Sequence, residues 1–287
     1  MGPNRMKNIM TEDISLLDGL VKLYPDSAKR TLRIWLKQRR VSVDGVAITI
    51  GKHLVKKGSQ IVVGKVVADS IKGVEALYED DHLIIIDKPT GLLSVPLDRE
   101  KAINALGILR DYYKNSPVFA VHRIDKETSG VLVFAKTEEA KEGMDVLFRK
   151  HDLTREYIAL VEGFIETPKG SWQSYLFERS HFEVGSTTDP KGGRLSITHY
   201  EVIRKTPKCT WLRLTLETGR KHQIRVHCRD AGYTILGDKR YGSTMNPYKR
   251  LCLHAHRIAF RHPITGEQID IKAKPVSFIP VEQEDLA

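Results

Sequence analysis

The sequence predicts an α+β fold in which strands outnumber helices, and three observations carry that reading. Residues 76–275 contain repeated short apolar runs bounded by turn residues, among them Leu83–Ile86, Gly130–Ala135 and the alternating Leu212, Leu214 and Leu216. Two stretches of that region read as amphipathic helices, one after Thr137 and one after Arg220. The charge is also divided unevenly. Residues 1–65 hold 13 Lys or Arg against 5 Asp or Glu, so most of the net charge of +10 sits at the N-terminus.

At 287 residues and 41% hydrophobic, the chain can bury a large domain with a small appendage. No 18-residue apolar run is present, and the N-terminus lacks the apolar segment of a signal peptide, so a soluble, cytoplasmic protein with no membrane partner is expected. Cys209, Cys228 and Cys252 are odd in number and form no CxxC pair, which disfavours a disulfide framework or a zinc ribbon. They read as buried thiols.

The elements follow in order. Ser27 is positioned to cap a helix that packs Ala28, Leu32, Trp35 and Leu36, while Lys29, Arg33, Lys37 and Arg40 line its other side as a cationic stripe. Residues 41–48 then read as a hairpin turning at Asp44-Gly45, and Gln60–Val63 closes the unit as a strand. A compact basic module of residues 13–65 on a near-neutral body is the footprint of nucleic-acid attachment. Residues 66–75 read as a linker or a crossing strand, and residues 76–287 as the body. Within the body, Leu83–Ile86 is a buried strand, and Pro89 bars the helical conformation at Lys88.

The segment AVHRIDKETSGVLVFAKT, residues 120–137, sets Asp125 in the turn feeding a core strand, Gly130–Ala135, which is followed by a helix that Thr137 caps. A carboxylate there loses solvation, so it must be paired, protonated or used. Two readings are open: Asp125, Thr128 and Ser129 build an Asx or ST turn, or Asp125 does chemistry. In the second case an arginine must hold it ionised, and Arg220, in the tight turn between the Leu212–Leu216 strand and the next helix, is the natural candidate.

Metal and phosphoryl chemistry are weaker readings. His254 and His256 alternate onto one side of a strand without a third ligand at the usual spacing. HRID is reminiscent of a kinase catalytic loop, yet the chain has no GxGxxG, D-F-G or Walker A stretch to cradle a triphosphate.

HRIDKETSG, residues 122–130, resembles the HRLDxxTSG signature of the RluA-type pseudouridine synthases. DKPTGLLSVP, REYIALVEG, LETGRKHQIRVH, GDKRYG and LHAHRIAFRHPITGE are similar to further motifs of that family and come in its order, over about residues 76–275. Ile124 stands where Leu is common and Arg155 where Lys is common. Residues 13–65 resemble the S4 RNA-binding domain, with the Lys29, Arg33, Lys37 and Arg40 stripe placed to hold phosphates.

The resemblance implies isomerisation of uridine to its C-glycoside in structured RNA without a cofactor. It implies ribosomal RNA of the large subunit as substrate, with transfer RNA or a non-catalytic RNA-binding role as alternatives, and a monomer. The fold it implies is a mixed, mainly antiparallel central sheet with flanking helices and a central cleft. Carried over to this chain, Asp125 is the essential carboxylate, as nucleophile at the ribose or as base at its 2′ position. Arg220 pairs with Asp125, Tyr157 stacks on the uracil, and Ile224 packs beneath the site. Arg123 enters the RNA as the base leaves it.

Overall fold

The computed structural model describes residues 8–37, 40–63, 71, 73–96, 103–114, 116–180 and 183–279. Residues 64–65 at the end of the expected module, residues 66–70 and 72 of the expected linker, and residues 280–287 lie outside them.

The N-terminal elements are β1 (Ile14–Ser15), α1 (Leu16–Leu23), α2 (Lys29–Lys37), β2 (Val41–Val43), β3 (Val46–Ala47), β4 (Leu54–Val55) and β5 (Ile61–Val63). β2 pairs with both β3 and β5, and β1 pairs with β4. Asp44 and Gly45 adopt φ of 50° and 84° between β2 and β3, the left-handed pair that a two-residue hairpin turn requires. Leu16, Leu20, Leu32, Trp35, Leu36, Val41, Val55 and Ile61 form a separate core beneath the two helices. Lys29 and Arg33 of α2 are exposed as expected, and the Lys37 side chain lies outside the described residues.

Arg40 departs from the expected stripe. It follows the end of α2, is half-buried, and lies with its guanidinium over the Trp35 ring at 4.9 Å, where Glu79 and the Tyr24, Tyr78 and Tyr113 hydroxyls act on its charge. The helical periodicity assigned it to the exposed face, but the helix stops before reaching it. The neighbouring Arg30 donates to the Tyr113 carbonyl at 2.8 Å, so this edge of α2 faces the body of the protein.

The body adds β6 (Glu75–Glu79), β7 (Leu83–Lys88), α3 (Ala105–Tyr113), β8 (Phe119–Ala120), β9 (Ser129–Ala135), α4 (Glu138–Lys150), β10 (Thr154–Glu162), β11 (Lys169–Ser180), β12 (Glu183–Thr187), β13 (Arg194–Lys205), β14 (Cys209–Leu216), α5 (Gln223–Asp230), β15 (Leu253–Arg261) and β16 (Gln268–Lys272). Its sheet runs β12-β11-β13-β14-β10-β15-β9-β7-β6, with β16 beside β15 and β8 beside β9. This is the α+β architecture that the sequence predicts, mixed and mainly antiparallel. No helix among the described residues is long and apolar enough to cross a membrane.

The sheet's centre is the short parallel pairing of β9 with β15, where Ser129 faces His254 and Gly130 faces Ala255. Gly130 has φ of 111°, and a Cβ there would overlap the Ala255 carbonyl oxygen, so only glycine lets these strands meet. β9 is buried along its whole length, as its continuous apolar run predicts. Thr137 Oγ1 accepts from Ala140 N and starts α4, which packs Ala140 and Met144 against the sheet. The loop of residues 121–128 enters this central junction and carries Asp125 to the middle of the sheet.

Candidate active site

Backbone bonds hold the 121–128 loop from both ends. Thr128 N donates to the Asp125 carbonyl, closing the turn through the main chain and leaving the Asp125 carboxylate free to face the cleft. Ser94 Oγ accepts from Ile124 N and donates to Ile124 O, at 3.2 and 2.8 Å. Thr90 Oγ1 donates to Glu127 O, and Gly91 N donates to Lys126 O. Lys88, fully buried at the end of β7, donates to the carbonyls of Pro89, Leu92 and Lys126 at 3.1, 2.7 and 3.1 Å. Burial pushes its ammonium down to about 7, and Asp125 pulls in the other direction.

Along the loop, Arg123 is exposed, Ile124 is buried, and the Asp125 side chain is 18% exposed. Arg123 and Asp125 therefore project to one side, into a cleft also lined by Tyr157, Leu216, Arg220, His222, Ile224 and Arg225. Ile224 belongs to the core under this cleft, and Tyr157 presents its ring from β10. Burial raises the Tyr157 hydroxyl; the Arg155 charge works against that shift and the Asp125 charge with it.

The arginine at the carboxylate is Arg225, not Arg220. Arg225 Nη1 lies 3.2 Å from Asp125 Oδ2, and the same guanidinium makes a two-point contact with Asp238 at 2.7 and 2.8 Å. Burial opposes its charge, but the Asp238 bonds and the Asp125 charge outweigh that and hold it above its ordinary value. Arg220 stays exposed, its Nε 3.4 Å from the Leu195 carbonyl, because the turn carrying it is fastened differently. Gln223 Oε1 accepts from Arg220 N and Thr218 Oγ1, and Gln223 Nε2 donates to Ile197 O and Thr198 Oγ1. That holds residues 218–220 against β13 and leaves the exposed Arg220 in the lining of the cleft.

His222 also escapes a reading by motif. It sits in the left-handed region at φ 54° just before α5, its Nδ1 is 2.7 Å from the Tyr241 hydroxyl, and its Nε2 is 3.8 Å from Asp125 Oδ2. Burial lowers its pKa and Asp125 raises it. Arg225 and His222 lie in the quoted stretch LETGRKHQIRVH, and Asp238 lies in GDKRYG. The missing signal was helical phase: only the turn of α5 decides which arginine of that stretch reaches the loop.

Chemically, the arrangement is one ionisable carboxylate in a half-open cleft, tethered by a buried guanidinium that is neutralised in turn by a second carboxylate. Such a carboxylate is oriented and accessible on one side, which suits attack on a carbon or removal of a proton.

A family model described as RNA pseudouridylate synthase matches residues 82–230. The chain is 31% identical to the ribosomal large subunit pseudouridine synthase D of Haemophilus ducreyi, over 91% of this chain and 87% of that one. It is 35% identical to the Nitrosomonas europaea protein of the same name, over 88% and 79%. It is 31% identical to YhcT of Bacillus subtilis, described as an uncharacterized RNA pseudouridine synthase, over 91% and 90%. Among solved structures, human RNA Pseudouridylate Synthase Domain Containing 4 shares the fold, with a TM-score of 0.60 and 23% identity over 71% of this chain and 89% of that one.

Proposed function

The chain belongs to the RNA pseudouridylate synthase family, and from that membership we propose that it isomerises specific uridines of large-subunit ribosomal RNA with Asp125 as the essential carboxylate. The enzyme is a pseudouridine synthase, an isomerase. Its reaction breaks the N1–ribose bond of uridine, joins C5 to the same ribose carbon, and moves the C5 proton off the ring. Atoms and electrons balance within the nucleotide and water. The observation that carries the assignment of Asp125 is its carboxylate, 3.2 Å from Arg225 and open to the cleft that Tyr157 lines.

A stacked uridine exposes neither face of its glycosidic bond, so the nucleotide leaves the helix to be processed. Arg123, exposed at the cleft mouth two residues before Asp125, enters the space left behind, where a guanidinium plane both stacks on bases and holds phosphate. Tyr157 stacks on the extruded uracil, Ile224 supports the floor, and Arg220 meets the RNA at the cleft mouth. The ribosomal substrate is supported by the names of the relatives that cover most of this chain. The S4-like reading of the N-terminal module is supported by the exposed Lys29 and Arg33 on α2, which place the enzyme on RNA through phosphates rather than bases.

Asp125→Asn tests the carboxylate. The amide is nearly isosteric and keeps hydrogen-bonding capacity but loses the charge and the nucleophilic oxygen, so tritium release from RNA carrying 5-tritiated uridine should vanish while RNA binding stays near wild type. Wild-type-like release would remove Asp125 from the chemistry. Mapping pseudouridines with and without the gene tests the substrate, and a loss confined to transfer RNA would overturn the ribosomal assignment.

A further inference from the structure

Beside the Asp125 cleft, and sharing Arg123, Tyr157, Leu216 and Arg220 with it, lies a second open cavity of about 460 Å³. His122, Arg149, His151 and Arg155 also line it, and among the described residues no Asp or Glu does. A concavity lined by four arginines and by no carboxylate of the described residues is built for an anion.

Arg155 is the unusual member. It is half-buried on β10, and its Nε is shielded from solvent with no hydrogen-bond partner. Among the described residues it makes no ion pair. Its guanidinium stands 5.7 Å from the centre of the Phe148 ring and lies against Gly219, where a Cβ would overlap Arg155 Nη1. Burial depresses its charge, and the Tyr157 hydroxyl is the group that offsets this. By contrast the next residue, Glu156, pairs with Arg257, and Arg257 also holds Asp270. Folding a guanidinium into a partly dry site without a counter-ion is unfavourable, and the arrangement is explained if the counter-ion arrives with the substrate.

We propose that Arg155 is the centre of a phosphate subsite that binds the RNA backbone next to the target uridine. β10 pairs with β14 from Glu156 onward and takes a bulge against β15 between Glu156 and Tyr157; Arg155 and Tyr157 line the same cavity, and residues two apart along a strand are about 6.8 Å apart. A base on Tyr157 therefore brings a neighbouring phosphate to Arg155, with Arg220 across the cavity as a second donor. Arg155 binds and orients the strand; it touches none of the reacting atoms. The subsite rests on the RNA-modifying reading of the cleft.

The test uses the full chain and an in vitro transcript of large-subunit ribosomal RNA from the same organism, with Arg155→Met and Arg155→Lys as variants. Filter binding is followed between 50 and 200 mM salt, and tritium release gives KM and kcat separately. Arg155→Met should weaken binding and raise KM about tenfold, and lower the slope of log affinity against log salt by about 0.7 to 0.9, the share of one phosphate contact. Arg155→Lys, which keeps the charge, should stay within about threefold of wild type. Melting of the free protein separates this from a structural role, because removing an unpaired guanidinium should leave Tm unchanged or higher. Unchanged affinity and salt slope in Arg155→Met, or a lower Tm with KM at the wild-type value, would overturn the subsite. If wild-type protein binds the RNA without releasing tritium, the isomerase reading fails instead, and the binding arm still decides Arg155.

Discussion

At the scale of single residues, the site depends on a chain of charges, Asp125 to Arg225 to Asp238, of which the last two are almost fully buried. A buried ion pair adds little against a well-packed apolar substitute, but losing one partner leaves the other uncompensated. Arg225→Met is therefore expected to destabilise the protein by about 3–5 kcal/mol, through Asp238, and to remove activity by freeing Asp125. Urea unfolding compared with Arg220→Met measures this. The Arg220 variant should unfold near the wild-type midpoint, since Arg220 is exposed and its turn is held by Gln223 through backbone atoms. Equal midpoints for the two variants would contradict the charge chain. The sequence made Asp125 conspicuous because a carboxylate ahead of an apolar strand has few uses. It could not choose between two arginines five residues apart, because that choice depends on where α5 begins.

At the scale of elements, the reading was best where a local rule is strict. The Asp44-Gly45 turn, the Thr137 cap and the continuous apolar run of β9 each follow from the energetics of a few neighbouring residues. α2 shows the limit. Its packing face was legible at Leu32, Trp35 and Leu36, which are buried, but its two ends were not: Ala28 is exposed before the first turn, and Arg40 turned inward over Trp35. The cationic face available for RNA is accordingly narrower than the periodicity suggested. Lys29 and Arg33 stand four residues apart on it, so Lys29→Glu with Arg33→Glu is expected to weaken binding of ribosomal RNA and lower the salt slope by about 1.5 to 2. Filter binding across a salt series reads both. An unchanged slope would make this face ordinary solvated surface.

At the scale of the whole molecule, three histidines are folded away in neutral form. Burial lowers His122 to about 3, with Arg155 adding to the effect; it lowers His227 to about 4 against the pull of Asp230; and it lowers His254 to about 3, with His256 and Arg250 adding to it. The ordinary value for histidine is 6.5. Between these limits the unfolded chain binds more protons than the folded one, so stability rises with pH. The stabilisation is fully present above about pH 6.5 and is lost as pH falls toward 4, by at most about 1.4 kcal/mol per pH unit for each histidine. Urea midpoints should fall steadily from pH 7 to pH 5, and His227→Gln should make the fall shallower. A midpoint that rises toward acid would contradict neutral burial.

The sequence by itself determined the strand-rich body, the basic N-terminal helix, and the position of the central carboxylate in its turn. These rest on periodicity, on turn chemistry and on the cost of dehydrating a charge, all of which act within about a dozen residues. Tertiary structure alone decided what meets Asp125. β9 and β15 carry Ser129 and His254, 125 residues apart, and their parallel junction forms because Gly130 has no Cβ to hold the backbones apart. Arg225 arrives at the carboxylate from 100 residues away, and Arg155 is left facing a cavity with no counter-ion among the described residues. Contacts at such separations depend on how whole strands and helices pack, and no local preference of the chain encodes them.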